Sequence, residues 1–202
     1  MMQEQRANQV RWSPTRRLIL QTTVELYREI GYRKTTVADI ARRAAMSPAN
    51  IYRFFRSKQE IEEVVVGELL AEVFHAAANA AHGSGSARYR LEAVLRTIYQ
   101  LHERRVADDK RLNELIATAT NENWPIMLSY VDRMAGLLTP MIAAGQARGE
   151  IRGGSAATLA CCLFTAMDAH LRTRQVSGVR ARSTFDEMMD FCVNALCLPQ
   201  QL

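Results

Sequence analysis

The sequence predicts an all-α protein, with an N-terminal three-helix unit containing a helix-turn-helix on a larger helical body. Three observations carry that expectation. Residues 35–58, TTVADIARRAAMSPANIYRFFRSK, read as two short helices joined by a tight turn and followed at once by a longer third. Elsewhere the apolar residues recur at three- and four-residue spacing, and no stretch shows the period of two that a half-buried strand requires. Charge is also uneven. Residues 1–60 hold 12 Lys and Arg against 5 Asp and Glu, whereas residues 61–202 hold 14 against 16. A merely soluble basic surface accounts for the net +5 but not for that asymmetry, which suits a nucleic-acid-binding head on a near-neutral body.

Residues 1–12 are polar and read as a disordered arm, with Arg6 and Arg11 within reach of DNA phosphates. Ser13 then Pro14 marks a helix start, because a serine N-cap accepts from an orphan backbone donor and proline at the first helical position has no donor to leave unpaired. Leu18, Ile19, Thr22, Leu26 and Ile30 form that helix's expected buried face, and Gly31 closes it as a left-handed cap. Arg16 and Arg17 either meet a DNA backbone or form surface ion pairs. Thr36 N-caps the next helix and Asp39 completes a capping box, with Val37, Ile40, Ala41 and Ala44 turned inward. Ser47 and Pro48 start a second short helix, to about residue 55, in which Ile51, Phe54 and Phe55 pack. Ala49, Asn50, Tyr52 and Arg53 are left outward. Ser57 and Glu60 make a second box and open a long helix to about residue 81.

Two short helices at a steep angle, the second with a polar and basic outer face, describe a helix-turn-helix. In a DNA major groove Asn pairs with adenine and Arg with guanine. Thr36 and Lys58 sit at helix N-termini, where free backbone donors suit phosphate. The bland alternative is a helical corner whose polar residues are simply solvated.

The residues from Arg17 to Lys58 resemble the DNA-binding domain of TetR-type (TetR/AcrR family) bacterial transcriptional regulators. The likeness lies in the first helix ending at Gly31-Tyr32, in Thr36-Val37-Ala38-Asp39-Ile40-Ala41, and in Ser47, Tyr52, Phe55 and Lys58. It implies a helix-turn-helix domain over 13–58, with Thr36, Tyr52 and Lys58 at phosphates and Ala49, Asn50 and Arg53 reading bases beside Ser47 and Pro48. One position departs from the pattern. The family usually has Gly in the turn where this chain has Ala45, and Ala at a positive φ costs about 1 kcal/mol.

Residues 59–202 read as the helical body. After the Gly83-Ser84-Gly85-Ser86 loop, helices are expected over about 87–105, 109–120 and 123–148, the last kinked or broken at Gly136 and Pro140. A turn-rich exit over 145–153 resembles the link before the last two helices of TetR-type bodies. Ser155 caps a helix over about 156–175 that is apolar nearly all round, and a final helix spans about 184–196. Such an apolar helix is either central to a monomer or covered by a partner subunit. The resemblance implies the latter, a homodimer pairing its last two helices and reading a palindromic operator in double-stranded DNA. Leu159, Leu163, Phe185, Met188, Met189 and Cys192 are the expected interface.

The resemblance also implies a body cavity for a small-molecule effector of unknown identity. Its candidate lining is Tyr99, Trp124, Met127, Tyr130, Met134, Met141, Phe164 and Met167, although side chains of these types are more often plain core than pocket. His102, Asn113, Asp168 and His170 are the polar candidates, with Arg172 a mundane partner for Asp168 at i+4. His102, Asp168 and His170 make a poor metal site, since i and i+2 point apart on a helix, so no metal is expected and no cofactor.

No nucleophile–base pair, metal-ligand spacing or phosphate-binding glycine loop argues for an enzyme. The first twelve residues lack a signal peptide's apolar run, and the longest nearly apolar stretch, 156–167, is shorter than the ~20 residues a bilayer span needs, so no membrane contact is expected. Cys161, Cys162, Cys192 and Cys197 show no paired spacing and read as small core residues of a reducing, cytoplasmic compartment. The expected function is a ligand-responsive repressor. An architectural or recruiting DNA-binding protein without an effector is the alternative.

Overall fold

The computed structural model describes residues 13–171 and 183–198. Arg6 and Arg11 of the arm, and Arg172, lie outside them. Helices α1 (Pro14–Ile30), α2 (Val37–Arg43), α3 (Pro48–Tyr52), α4 (Lys58–Ala81), α5 (Ala87–Asp108), α6 (Lys110–Asn121), α7 (Pro125–Ala147), α8 (Ala156–Leu171) and α9 (Phe185–Leu196) follow in order. Helices α1–α3 form the head and α4 runs from it into the body, where it packs on α5, α6 and α7. Among the described residues one hydrophobic core is continuous from Ile19 in the head to Leu196 in the body.

Serine and threonine caps start the helices as the sequence requires. Ser13, Ser47, Ser57, Ser86 and Thr184 each accept from the backbone N–H three residues on, and Thr36 and Thr184 complete capping boxes. The box expected at Ser57 is only half made. The Glu60 carboxylate accepts from Arg56 N–H at 2.7 Å and lies 3.6 Å from Arg16, which draws it past the Ser57 N–H. Helix α3 is also shorter than expected, because Phe54 N–H bonds Ile51 C=O at 2.9 Å and tightens the chain out of α geometry after Tyr52.

On α1 the buried stripe is Ile19, Leu20, Thr22, Thr23, Leu26 and Tyr27, while Leu18 and Ile30, expected inside, are exposed. Three consecutive apolar residues at 18–20 leave the centre of the stripe undecided until its neighbours are in place. Gly31 ends α1 at φ 86°, ψ 149°, which is not the left-handed helical cap but an extended positive-φ conformation open essentially to glycine alone.

Helix α4 is long and apolar enough, by length and composition, to cross a membrane. Here it is the central core helix, with Ile61, Val65, Val66, Leu70 and Val73 buried. Of the expected kink or break at Gly136 and Pro140 there is no break, since helix α7 runs on through both. Met134, Leu138, Met141 and Ile142 bury on both sides of the proline, and the residue whose carbonyl its ring faces is a glycine with open space around it.

Helix α8 buries Ala160, Leu163, Phe164, Met167 and Leu171, leaving Cys161, Cys162, Thr165, Ala166 and Ala169 exposed. The two adjacent cysteines are therefore not core residues, since they fall on the uncovered face. Cys192 is buried and Cys197 half-buried. Residues 150–152 and 196–198 clip α9 to the link before α8, through Arg152 N–H to Leu196 C=O and Leu198 N–H to Glu150 C=O, both 2.9 Å.

Candidate nucleic-acid interface and body cavity

Ile51 and Phe55 are buried and anchor α3, so Ala49, Tyr52 and Arg53 stand exposed and Asn50 half-exposed on its outer side. Ser47 caps this helix by accepting from Asn50 N–H at 3.2 Å, and Pro48 fills its first turn. Ala45 holds φ 54° in the turn before it, the conformation where glycine would be unstrained. Thr36 is exposed with its hydroxyl in its own cap, accepting from Asp39 N–H at 3.1 Å and donating to the Asp39 carboxylate at 2.6 Å. Lys58 donates to Tyr32 C=O at 2.7 Å and lies 3.3 Å from Glu62, so two of its three ammonium donors face inward. Arg16 holds the head together, donating to Phe54 C=O at 3.0 Å with its guanidinium 4.2 Å from the Phe55 ring centre.

Sequence reading missed how the head is tied to the body. Arg111 near the start of α6 donates to the last carbonyls of α1, Arg28 C=O at 2.8 Å and Glu29 C=O. A cation there also complements the negative end of the α1 dipole. Arg28 reaches back to Asp109 at 2.7 Å, and Tyr32 Oη meets Thr118 Oγ1 at 2.7 Å. No local signal marks these residues, because each is an ordinary surface type until its partner about 80 positions away is known.

The same α6 lines a cavity of about 60 Å³ with its Ile116 and Thr120. The other walls are Leu70 of α4, Ile98 and His102 of α5, Met127, Leu128, Tyr130 and Val131 of α7, and Phe164, Asp168 and Leu171 of α8, with Asn123 from the preceding turn. Of the expected lining, His102, Met127, Tyr130, Phe164 and Asp168 meet here. Tyr99, Trp124, Met134, Met141, Met167, Asn113 and His170 do not. Tyr99 stacks on Phe185 at 4.2 Å between ring centres, and Trp124 donates its indole N–H to Glu122 at 2.9 Å. Met134 and Met167 are buried in the core, and His170 pairs with Ser183 at 3.2 Å. Burial, reinforced by the nearby Arg105 charge, pulls the His102 pKa down to about 4, so the imidazole is neutral at pH 7. Asn123 takes φ 53° at the rim, a conformation asparagine tolerates better than most residues.

Of the side chains expected at a subunit interface, Leu163, Phe185, Met189 and Cys192 are buried within this chain. Leu159 and Met188 are half-buried. The apolar residues that α8 and α9 leave exposed include Cys161, Cys162, Ala166, Ala195 and Phe191, the last 70% exposed. Helical spacing identified two apolar faces but could not say which one the chain's own helices would occupy.

Residues 19–64 match the family model described as bacterial regulatory proteins, tetR family, and residues 87–191 match that described as tetracyclin repressor-like, C-terminal domain. Over 82 residues, 40% of this chain, the sequence is 34% identical to the HTH-type transcriptional regulator BetI of Escherichia coli O139:H28. That match spans 42% of the relative, so the chain covers less than half the length of the curated relatives it matches. Similar solved structures include reduced NemR of E. coli, with TM-score 0.65 at 17% identity over 94% of this chain and 100% of that one. Another is SmeT, the repressor of the Stenotrophomonas maltophilia multidrug efflux pump SmeDEF, with TM-score 0.67 at 15% identity over 92% and 91%. At such identities these structures speak for the fold alone.

Proposed function

The chain belongs to the TetR family of transcriptional regulators, and from that premise we propose that it is a repressor binding a palindromic operator as a homodimer and released by a small-molecule effector. Ala49, Asn50 and Arg53 are the proposed base readers, beside Ser47 and Pro48. Thr36, Tyr52 and Lys58 are the proposed phosphate contacts, with Lys58 turning one of its inward donors outward on binding.

The observation that carries the effector reading is the double role of α6. One part of it walls the cavity at Ile116 and Thr120, while its first turn holds the end of α1 through Arg111. A ligand that moves α6 by a fraction of an ångström then moves the last turn of a head helix, and in a symmetric dimer it changes the spacing of two recognition helices. Ligand and operator would be bound at each other's expense.

Selection of random DNA on the purified protein tests this. A recovered palindrome, bound by a species of dimer size, supports the reading. Tight, salt-sensitive binding without a consensus would point instead to an architectural role. On the recovered operator, Arg53→Ala should cost about 1–3 kcal/mol and relax preference at one base position. Equal loss on specific and random DNA would remove Arg53 from the base-reading set.

A further inference from the structure

The cavity holds polar groups that the packing of the chain does not use. Tyr130 is 7% exposed, and its hydroxyl is buried without a partner among the described residues. An unpaired buried hydroxyl is destabilising, so its retention in a cavity wall suggests a partner that arrives from outside. Arg105, one turn along α5 from His102, is half-buried, with 11% of its side chain exposed. Its Nη2 donates to Leu69 C=O at 3.1 Å and lies 3.4 Å from Glu72, but its Nη1 is buried and has no partner among the described residues. The Glu72 carboxylate, mostly in solvent, and Asp109 offset that charge in part.

Arg105 is not itself a wall of the cavity, but it stands one turn along α5 from His102, which is, and its charge bears on two wall residues. It acts on the Tyr130 hydroxyl and adds to burial in keeping His102 neutral. The acid at the wall, Asp168, is half-buried and already engaged in a polar interaction. The space itself is small, well below the ~300–1,000 Å³ of sites for drug-sized ligands, and its walls are otherwise apolar.

Resting on the reading of the chain as effector-responsive, we propose that the effector is a small apolar anion, a single-ring or short-chain carboxylate or phenolate. Its oxygen accepts from Tyr130 in the field of Arg105, and its apolar part packs between Ile98, Ile116, Met127 and Phe164. Charge is the discriminating feature. An anion neutralises a half-buried guanidinium, a neutral amide leaves it as it was, and an ammonium adds a second positive charge.

Benzoate, benzamide and benzylamine carry the same ring with these three charges, and calorimetric titration of the full chain with each tests the proposal. Benzoate should bind at least about tenfold more tightly than benzamide, the difference expected for one charge-assisted hydrogen bond, and benzylamine most weakly. Tyr130→Phe should weaken benzoate while leaving the thermal midpoint unchanged or higher, since it removes only an unpaired hydroxyl. A merely structural tyrosine would lower both. Arg105→Gln, which keeps a donor for Leu69, should erase the preference for benzoate, and Arg105→Lys should retain most of it.

Benzylamine binding as tightly as benzoate would overturn the proposal in favour of Asp168 as the recognising charge. Equal binding of all three, or of none at millimolar concentration, would overturn it outright. Operator release, followed in parallel, separates this proposal from the reading it rests on. Benzoate binding without release keeps the anion site and removes the regulatory role. Release by other compounds with no benzoate binding does the reverse.

Discussion

At the scale of single residues, two side chains sit where an alternative would be cheaper. Ala45 occupies φ 54° in the helix-turn-helix turn, exposed and making no core contact that requires its methyl. Ala45→Gly should raise stability by up to about 1 kcal/mol, read as a shift in the urea midpoint at constant slope. A loss would mean that glycine's entropy in the unfolded chain outweighs the relieved strain. His102 couples stability to pH. Its folded pKa of about 4 lies below the ordinary 6.5, so between those values the unfolded chain binds the extra proton. The stabilisation is fully present above pH 6.5 and is lost as pH falls toward 4, by about 2 kcal/mol between pH 7 and pH 5. Urea titrations of wild type and His102→Gln at both pH values check this, and the variant should lose less on acidification.

At the scale of elements, α7 shows how one substitution takes opposite signs along a single helix. A Cβ at Gly145 would stand 2.7 Å from the Ala87 Cβ and 2.6 Å from Ile151 Cδ1, because the end of α7 crosses the start of α5 there. A Cβ at Gly136 meets nothing within 4 Å. Gly145→Ala should therefore destabilise by about 1–3 kcal/mol through overpacking, whereas Gly136→Ala should gain up to about 1 kcal/mol of helix propensity. Thermal midpoints of the two variants side by side decide it. In the sequence both glycines lie in a stretch that reads as interrupted helix, and only the packing of α5 and residue 151 distinguishes them.

At the scale of the whole molecule, the proposed coupling runs from the small cavity to α3 in a different part of the chain. Arg111 holds the final carbonyls of α1 from the α6 side, and Tyr32 to Thr118 and Arg28 to Asp109 lie beside it. Arg111→Ala should leave operator affinity without effector nearly unchanged, because Arg111 is distant in sequence from the α3 surface and its bonds are exposed. The coupling between effector and operator, typically 1–3 kcal/mol in such systems, should shrink toward zero. Operator titrations with and without a releasing compound, on wild type and variant, measure the coupling directly. Undiminished release would place transmission in α4 instead.

The amino-acid sequence by itself determined the all-helical fold, the start of nearly every helix and the outward residues of α3. These follow from local rules: a Ser or Thr cap needs only the next three residues, and Ile51 and Phe55 one turn apart decide which side of a short helix packs. Tertiary structure alone decided which of two apolar faces α8 buries, and with it the exposure of Cys161 and Cys162 and the burial of Leu163. It also decided which members of a Met- and aromatic-rich set meet around the cavity. A helix with apolar residues all round carries no sequence signal for which neighbour covers which face. That choice is made by partners tens of residues away, through the area and shape they bring into contact.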